Sequence, residues 1–168
     1  PYTLQYMSYS ALKEQWKMQE KDQSTFAYGN RAVSFRLKDC NNEVVSLEEM
    51  KGKVVILAFY YNSCSPCIQM LADLEKIYQA YKEKGVEVVA LNPIDNGSDN
   101  EQFNKFVKRN RLNYHVCSVQ RNTIEEIYLV YSYPTIFLVD KKGKIRFSHQ
   151  GYNALFPLEV ENAIRKSL

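Results

Sequence analysis

The sequence has no long apolar run. Nowhere in its 168 residues do roughly 18 consecutive apolar residues occur, the length that a membrane-spanning helix needs. It also lacks the succession of basic, apolar and small residues that marks a secretory signal peptide. A strong excess of one charge is missing too, since the formal net charge is only +3. A charge this small argues against nucleic acid or an anionic membrane surface as a partner.

The sequence lacks the high cysteine content of a disulfide-rich protein. The four cysteines are Cys40, Cys64, Cys67 and Cys117, too few for a small scaffold held together by disulfides. With 45% hydrophobic and 24% charged residues, the composition is that of an ordinary globular domain. Because the chain begins at Pro1 rather than Met, we expect a processed form, and a targeting segment or a membrane anchor could precede it.

The apolar pattern predicts alternating strands and helices. Residues 53–60 and 86–91 are short apolar runs without alternation, typical of strands buried on both faces of a sheet. Further strands are predicted at 32–38, 44–45, 116–119, 135–139 and 144–149. Helices are predicted at 8–22 and 66–84, after the capping signatures Ser98–Glu101 and Thr123–Glu126, and from Pro157 to the end, with Val160, Ala163, Ile164 and Leu168 on its apolar face. We therefore expect an α/β layered sheet with mixed strand directions over residues 29–168, preceded by a helical extension or linker over 1–28.

The strongest chemical signal is Cys64-Ser65-Pro66-Cys67, between a buried strand and a predicted helix. Free backbone N–H groups at a helix N-terminus stabilise a thiolate, and CxxC pairs there have a pKa below the usual value of about 8.5. With two intervening residues, both sulfurs lie within one helical turn and can form a disulfide that closes a short loop. We interpret Cys64 as the exposed nucleophile that attacks a substrate disulfide, and Cys67 as the more buried thiol that resolves the mixed disulfide.

Other interpretations of the pair stay open from the residues alone. A zinc site needs two further ligands, but Cys40, Cys117, His115 and His149 form no second pair motif. A passive structural disulfide is possible, although so short a loop stabilises a fold little. A thiol peroxidase would need Thr three residues before the attacking cysteine, where this chain has Tyr61. For Cys40 and Cys117 we favour inert, small hydrophobic thiols over a redox role.

Beyond this pair, the stretch from Gly29 to Ile164 resembles the thioredoxin superfamily, and within it the extracytoplasmic TlpA/ResA-like branch. The resemblance rests on three segments. These are the Gly29-x-x-Ala32-x-x-Phe35-x-Leu37-x-Asp39 start, the run Phe59-Tyr60-Tyr61-Asn62-Ser63 leading into Cys64, and Tyr133-Pro134-Thr135 before an apolar strand. It implies a three-layer sandwich, with a central mixed sheet, helices on both faces and an N-terminal β-hairpin. It also implies a cis Pro134 facing Cys64, with Tyr133, Pro134, Ser65 and Pro66 binding the substrate.

The chain departs from this family at several positions. Val33 replaces a frequent Pro, and Asn62 and Ser63 replace a small residue and Trp before the first cysteine. The carboxylates that relatives place near the second cysteine would fall at Ala58 and Met70, which are apolar here. Since such a carboxylate assists proton transfer, its absence predicts slower exchange or another proton carrier. The neutral Ser65-Pro66 dipeptide favours a reductant or a moderate potential.

The leading hypothesis is therefore an extracytoplasmic thiol–disulfide oxidoreductase. It implies protein substrates with disulfides or thiols and a redox partner that recharges the dithiol. It implies no metal or organic cofactor, because the two thiols carry the electrons. The alternative is a non-catalytic thioredoxin-fold binding module that uses Tyr60, Tyr61, Tyr133 and the N-terminal helix as its surface. Both cysteines and the Pro134 loop favour the enzyme.

Overall fold

The computed structural model describes residues 29–95, 100–120 and 128–168. The predicted helix at 8–22, the extension over 1–28, Ser98 and the Thr123–Glu126 capping signature lie outside these residues. The described elements run in the order β1 (Arg36–Lys38), β2 (Val44–Ser46), β3 (Val54–Phe59), α1 (Ser65–Tyr81) with a 3₁₀ turn (Lys82–Lys84), β4 (Val86–Asn92), α2 (Asn100–Arg109), β5 (His115–Ser118), β6 (Thr135–Val139), β7 (Ile145–Gln150) and α3 (Phe156–Ser167).

A five-stranded mixed sheet forms the centre, in the order β5-β4-β3-β6-β7. All six residues of β3 are buried, as the unbroken apolar run predicts. Strand β3 pairs parallel with β4, from Val54 opposite Val86 to Phe59 opposite Leu91. On its other side it pairs antiparallel with β6, where Phe59 lies opposite Thr135. The carboxyl ends of β3 and β4 therefore meet the start of β6 at one edge of the sheet.

Each face of the sheet carries its own hydrophobic core. Helices α1, α2 and α3 pack on one face, through side chains such as Leu74, Phe103 and Val160. The other face is covered by the β1–β2 hairpin and by Tyr128 and Val130. The two cysteines of the CxxC pair belong to the helical side. The sheet is thus covered on both faces, in a layered α/β arrangement with an N-terminal hairpin.

The first predicted strand is shorter than expected. The alternation at 32–38 correctly places Phe35 and Leu37 in the core, but only Arg36–Lys38 pair with β2. The reason lies in the hydrogen bonds, because the Val33 carbonyl accepts from the Tyr128 hydroxyl (2.6 Å) instead of from a neighbouring strand. Local periodicity thus predicts which side chains are buried but not which backbone groups pair.

The C-terminal part of the chain forms the antiparallel hairpin and the helix that the sequence predicts. Strand β7 pairs antiparallel with β6, and α3 begins beside Pro157. Val160 and Ile164 are buried, whereas Leu168 is 40% exposed, so its assignment to the apolar face is wrong. Phe156 takes part in the core instead, because it starts the helix while Leu168 lies beyond its end. No helix in the described ranges is long and apolar enough to cross a membrane.

Candidate active site

The CxxC pair lies where a parallel strand gives way to a helix. Strand β3 ends at Phe59, and α1 begins at Ser65 with Cys64 as its N-cap residue. Pro66 occupies the first turn, where its fixed φ suits a helix and its missing N–H costs nothing. The first turn contains no acidic residue, so no carboxylate there opposes a negative charge on the cysteines.

Cys64 and Cys67 are joined by a disulfide, with their Cα atoms 5.1 Å apart. The backbone N–H of Cys67 also donates to the Cys64 sulfur at 3.2 Å. The sulfur of Cys64 thus occupies the place of an N-cap oxygen, because it accepts from a first-turn N–H group that has no acceptor within the helix. In the reduced protein, the same N–H group would stabilise a thiolate at this position.

The two sulfur-bearing side chains differ little in exposure. Cys64 is 3% exposed and Cys67 is fully buried, so the predicted order holds. The expectation of an exposed Cys64, however, is wrong for this disulfide form. The Cys64 side chain packs in the core cluster on the helical side of the sheet, with its sulfur bonded to Cys67. Its neighbours Ser65 and Pro66 are exposed and form the outer rim of the site.

The Pro134 loop lies beside this helix start. The Tyr133–Pro134 peptide bond is cis, as the resemblance implies. The rings of Tyr133 and Tyr61 meet edge to face, with centroids 5.6 Å apart. The Pro134 carbonyl accepts from Gly151 N–H at 2.8 Å, which ties the loop to the end of β7. The structure therefore brings together the sequence-predicted residues from two segments that lie about seventy positions apart.

Of the three tyrosines considered as an interaction surface, Tyr60 does not belong to it. Its side chain is fully buried and stacks on Phe106, with ring centroids 5.7 Å apart. Tyr61 and Tyr133 are half-buried at the rim. The physical reason is the alternation along β3, which turns residue 60 toward the helical core.

The structure also contains a polar network beside the site that the sequence patterns did not predict. Asn92, at the end of β4, is fully buried, and its Nδ2 group donates to Asn62 Oδ1 (3.1 Å) and Asp95 Oδ2 (2.9 Å). Asp95 Oδ2 also accepts from the backbone N–H of Asn62 at 2.7 Å. Ala58 and Met70, the positions at which the family resemblance would place carboxylates, are both fully buried among apolar groups. This network could have been predicted, because polar residues at the carboxyl ends of neighbouring parallel strands meet at the same edge of the sheet.

The remaining two cysteines take no part in the disulfide. Cys117 is buried in β5, and burial raises the pKa of its thiol, which keeps the thiol protonated and unreactive. Burial and the nearby Asp39 likewise raise the pKa of Cys40. Both are free thiols.

One group of side chains has the composition of a metal site. The side-chain ligand atoms of Asp39, Glu43 and His115 lie within 4.8 Å of one another. Asp39 is already engaged, because it accepts from His115 Nδ1 (2.8 Å) and from the N–H groups of Asn41 and Glu43 (2.9 Å each). These bonds account for the cluster as the closure of the turn between β1 and β2.

Comparison with known proteins agrees with this geometry. The model of the AhpC/TSA family matches residues 28–148. The thiol-disulfide oxidoreductase ResA of Halalkalibacterium halodurans is 32% identical over 130 residues, which cover 77% of this chain and 72% of that protein. The chain belongs to the AhpC/TSA family, among its ResA-like thiol–disulfide oxidoreductases. A ResA of Bacillus cereus is 34% identical over 124 residues, covering 74% of this chain and 70% of that protein.

Solved structures extend the similarity to the whole fold. A candidate thiol:disulfide interchange protein DsbE from Chlorobium tepidum superposes with a TM-score of 0.77 at 28% identity, covering 84% of this chain and 98% of that one. The thioredoxin domain of a thiol-disulfide oxidoreductase from Bacteroides vulgatus gives a TM-score of 0.71 at 26% identity, covering 82% and 98%. The fold of this family member is therefore thioredoxin-like.

Proposed function

We propose that this ResA-like oxidoreductase reduces disulfide bonds in protein substrates through Cys64 and Cys67. The observation that carries the proposal is the disulfide at the N-terminus of α1, where the Cys67 N–H group donates to the Cys64 sulfur. This arrangement favours a thiolate at Cys64 in the reduced state. The neutral Ser65 and Pro66 between the cysteines favour a reductant over a strong oxidant.

The proposed reaction transfers two electrons and two protons. The Cys64 thiolate attacks one sulfur of the substrate disulfide, that S–S bond breaks, and the departing substrate thiolate takes up a proton. The Cys67 thiol then loses its proton and attacks the Cys64 sulfur, which breaks the mixed disulfide and releases the second substrate thiol. The substrate gains the two electrons as a dithiol, and the protein is left with the Cys64–Cys67 disulfide. No metal or organic cofactor takes part in these steps.

The substrate would lie across the rim formed by Ser65, Pro66 and the Tyr133–Pro134 loop. Ser65 and Pro66 are exposed next to the disulfide, and Tyr133 contacts Tyr61 just before Cys64. An extended segment of the substrate can pair with the Tyr133 backbone, which would align its disulfide with the Cys64 sulfur.

A dithiol reductant must recharge the protein after each turnover, because the protein ends each cycle as its disulfide. We propose a second protein dithiol as this partner and an extracytoplasmic location, where substrates with disulfides are found. The resemblance to the extracytoplasmic TlpA/ResA-like branch supports this placement. A membrane anchor preceding the chain would be consistent with it.

Reduction of insulin in the presence of excess dithiothreitol tests the proposed function. The wild-type protein should accelerate precipitation of the insulin B chain, and Cys64→Ser should reduce the rate to that of dithiothreitol alone. Cys117→Ser is the matched control, since that thiol is buried in the core on the opposite face of the sheet from the disulfide and its replacement should leave the rate within about twofold. A folded, reduced wild-type protein without activity would favour the binding-module alternative.

A further inference from the structure

Asn92, in the polar network at the end of β4, uses all of its side-chain hydrogen-bonding groups. Asn92 is fully buried, and its amide nitrogen donates to Asn62 and Asp95. Its amide oxygen accepts from the N–H groups of Ile94 (3.1 Å) and Asp95 (3.0 Å). An Asn side chain offers two donors and about two acceptor positions, so every one is used. A buried polar side chain with all its bonds made fixes the groups around it.

This network holds the loop that carries Cys64. Two of its bonds reach Asn62, one at the side chain and one at the backbone N–H. Cys64 follows two residues later, and its N–H group donates to the Tyr61 carbonyl at 3.3 Å. The loop between β3 and α1 is therefore held at Asn62 by residues at the end of β4, and at Tyr61 by the N–H group of Cys64, the cap of α1. A shift of Asn62 would displace the attacking sulfur.

The network also places a carboxylate near the sulfur. Two residues span at most about 7 Å, so the Asp95 carboxylate lies within roughly 12 Å of the Cys64 backbone. Negative charge at this distance disfavours a thiolate and opposes the effect of the helix N-terminus. A destabilised thiolate makes the reduced pair give up its electrons more readily.

We propose that Asn62, Asn92 and Asp95 form a positioning network for Cys64, and that the Asp95 carboxylate makes the Cys64–Cys67 dithiol a stronger reductant. This inference rests on the proposed function and adds to it a residue that shifts the equilibrium toward reduction of the substrate. Asp95 acts through Cys64 and does not itself touch the reacting sulfurs. Its position also differs from that of a carboxylate at residue 58 or 70, which would lie in the buried core.

The equilibrium of the protein with reduced and oxidised glutathione tests the proposal without any turnover. At pH 8 and about 10 mM salt, Asp95→Asn should lower the equilibrium constant for reduction of oxidised glutathione by the protein about threefold, or roughly 14 mV at 29.6 mV per tenfold. Asp95→Glu, which keeps the charge, should stay within a factor of about 1.5 of the wild type. Glu83→Gln removes an exposed carboxylate beyond the far end of α1 and should have no effect.

A measurement on the wild-type protein covers the case in which the Asp95 variants fail to fold. Raising the salt to about 0.5 M should shift its own equilibrium constant toward the Asp95→Asn value, because salt screens the carboxylate. An equilibrium constant that neither Asp95→Asn nor salt changes overturns this proposal and leaves the proposed function intact. So does an equal shift in Glu83→Gln. A wild-type pair that does not exchange with glutathione at all overturns both.

Discussion

At the residue scale, the chemistry depends on where the two sulfurs sit relative to the first turn of α1. Cys64 caps the helix, and its sulfur accepts the Cys67 N–H group at 3.2 Å. Cys67 lies within the helix and is fully buried. The N–H groups of the first turn favour a negative charge at the cap position. The two cysteines are therefore not equivalent, and Cys64 is the one suited to attack.

This difference predicts a pH dependence of alkylation. In the reduced Cys67→Ser variant, iodoacetamide should modify Cys64 with an apparent pKa below about 8.5, because the thiolate is stabilised in the folded protein. Cys117 should stay unmodified over the same pH range, because burial raises its pKa and excludes the reagent. Peptide mass spectrometry separates the two sites. An apparent pKa of 8.5 or more at Cys64 would contradict the account.

Individual site residues were predictable to different degrees. Cys64 and Cys67 follow from a short motif, because both reactive groups lie within four adjacent residues, whereas Pro134 is expected only from the resemblance to the thioredoxin superfamily. Asn92 and Asp95 have no motif, and their role depends on β4 lying next to β3. The burial of Cys64 was also beyond prediction, since it depends on how the cluster around α1 packs. Sequence patterns thus identify reactive groups better than the groups that position them.

At the scale of elements, α1 does two things at once. Its N-terminus presents the disulfide, and its inward face packs on β4 and on α3 through Met70, Leu71, Leu74 and Ile77. The site is therefore only as rigid as the packing of this helix. Tyr152, after β7, donates its hydroxyl to Asp73 on the same helix at 2.5 Å, which adds a polar tie.

The packing of α1 predicts a stability difference between two leucines. Leu74→Ala should lower the free energy of unfolding by about 2–5 kcal/mol, because the side chain is fully buried and leaves a cavity. Leu158→Ala on α3 is the matched control. That side chain is 57% exposed, so its loss should change stability by less than about 0.5 kcal/mol. Urea denaturation followed by circular dichroism measures both, and similar values would contradict the assigned core.

Most elements were predictable because their patterns are strong. The run that forms β3 is apolar throughout, those that form β4 and β6 are mostly apolar, and α1 has a helical repeat that ends at Gly85, where φ is +83°. The predicted length of strand β1 was too great, because the carbonyl of Val33 accepts a hydrogen bond from the Tyr128 hydroxyl instead of from a neighbouring strand. Element type is a local property, whereas backbone pairing is settled by residues far along the chain.

At the scale of the whole molecule, the site exists because the sheet order brings distant segments together. Residues 59, 92 and 135 end or begin three neighbouring strands, and all three lie at the same edge. The loops that follow or precede them carry Cys64, Asp95 and Pro134. Alternating strands and helices indicate such a sheet, but the resemblance to the thioredoxin superfamily was needed to place Pro134 beside Cys64. This convergence is what a dithiol site on a thioredoxin-like fold requires.

Trapping of the mixed disulfide tests the central claim most directly. Reduced Cys67→Ser protein is mixed with a protein disulfide substrate, quenched with acid and analysed by peptide mass spectrometry. We predict a covalent complex through Cys64, because attack on the substrate still occurs while its resolution does not. Cys64→Ser should give no complex. A complex that forms through Cys40 or Cys117, or no complex with folded and fully reduced Cys67→Ser protein, would contradict the account.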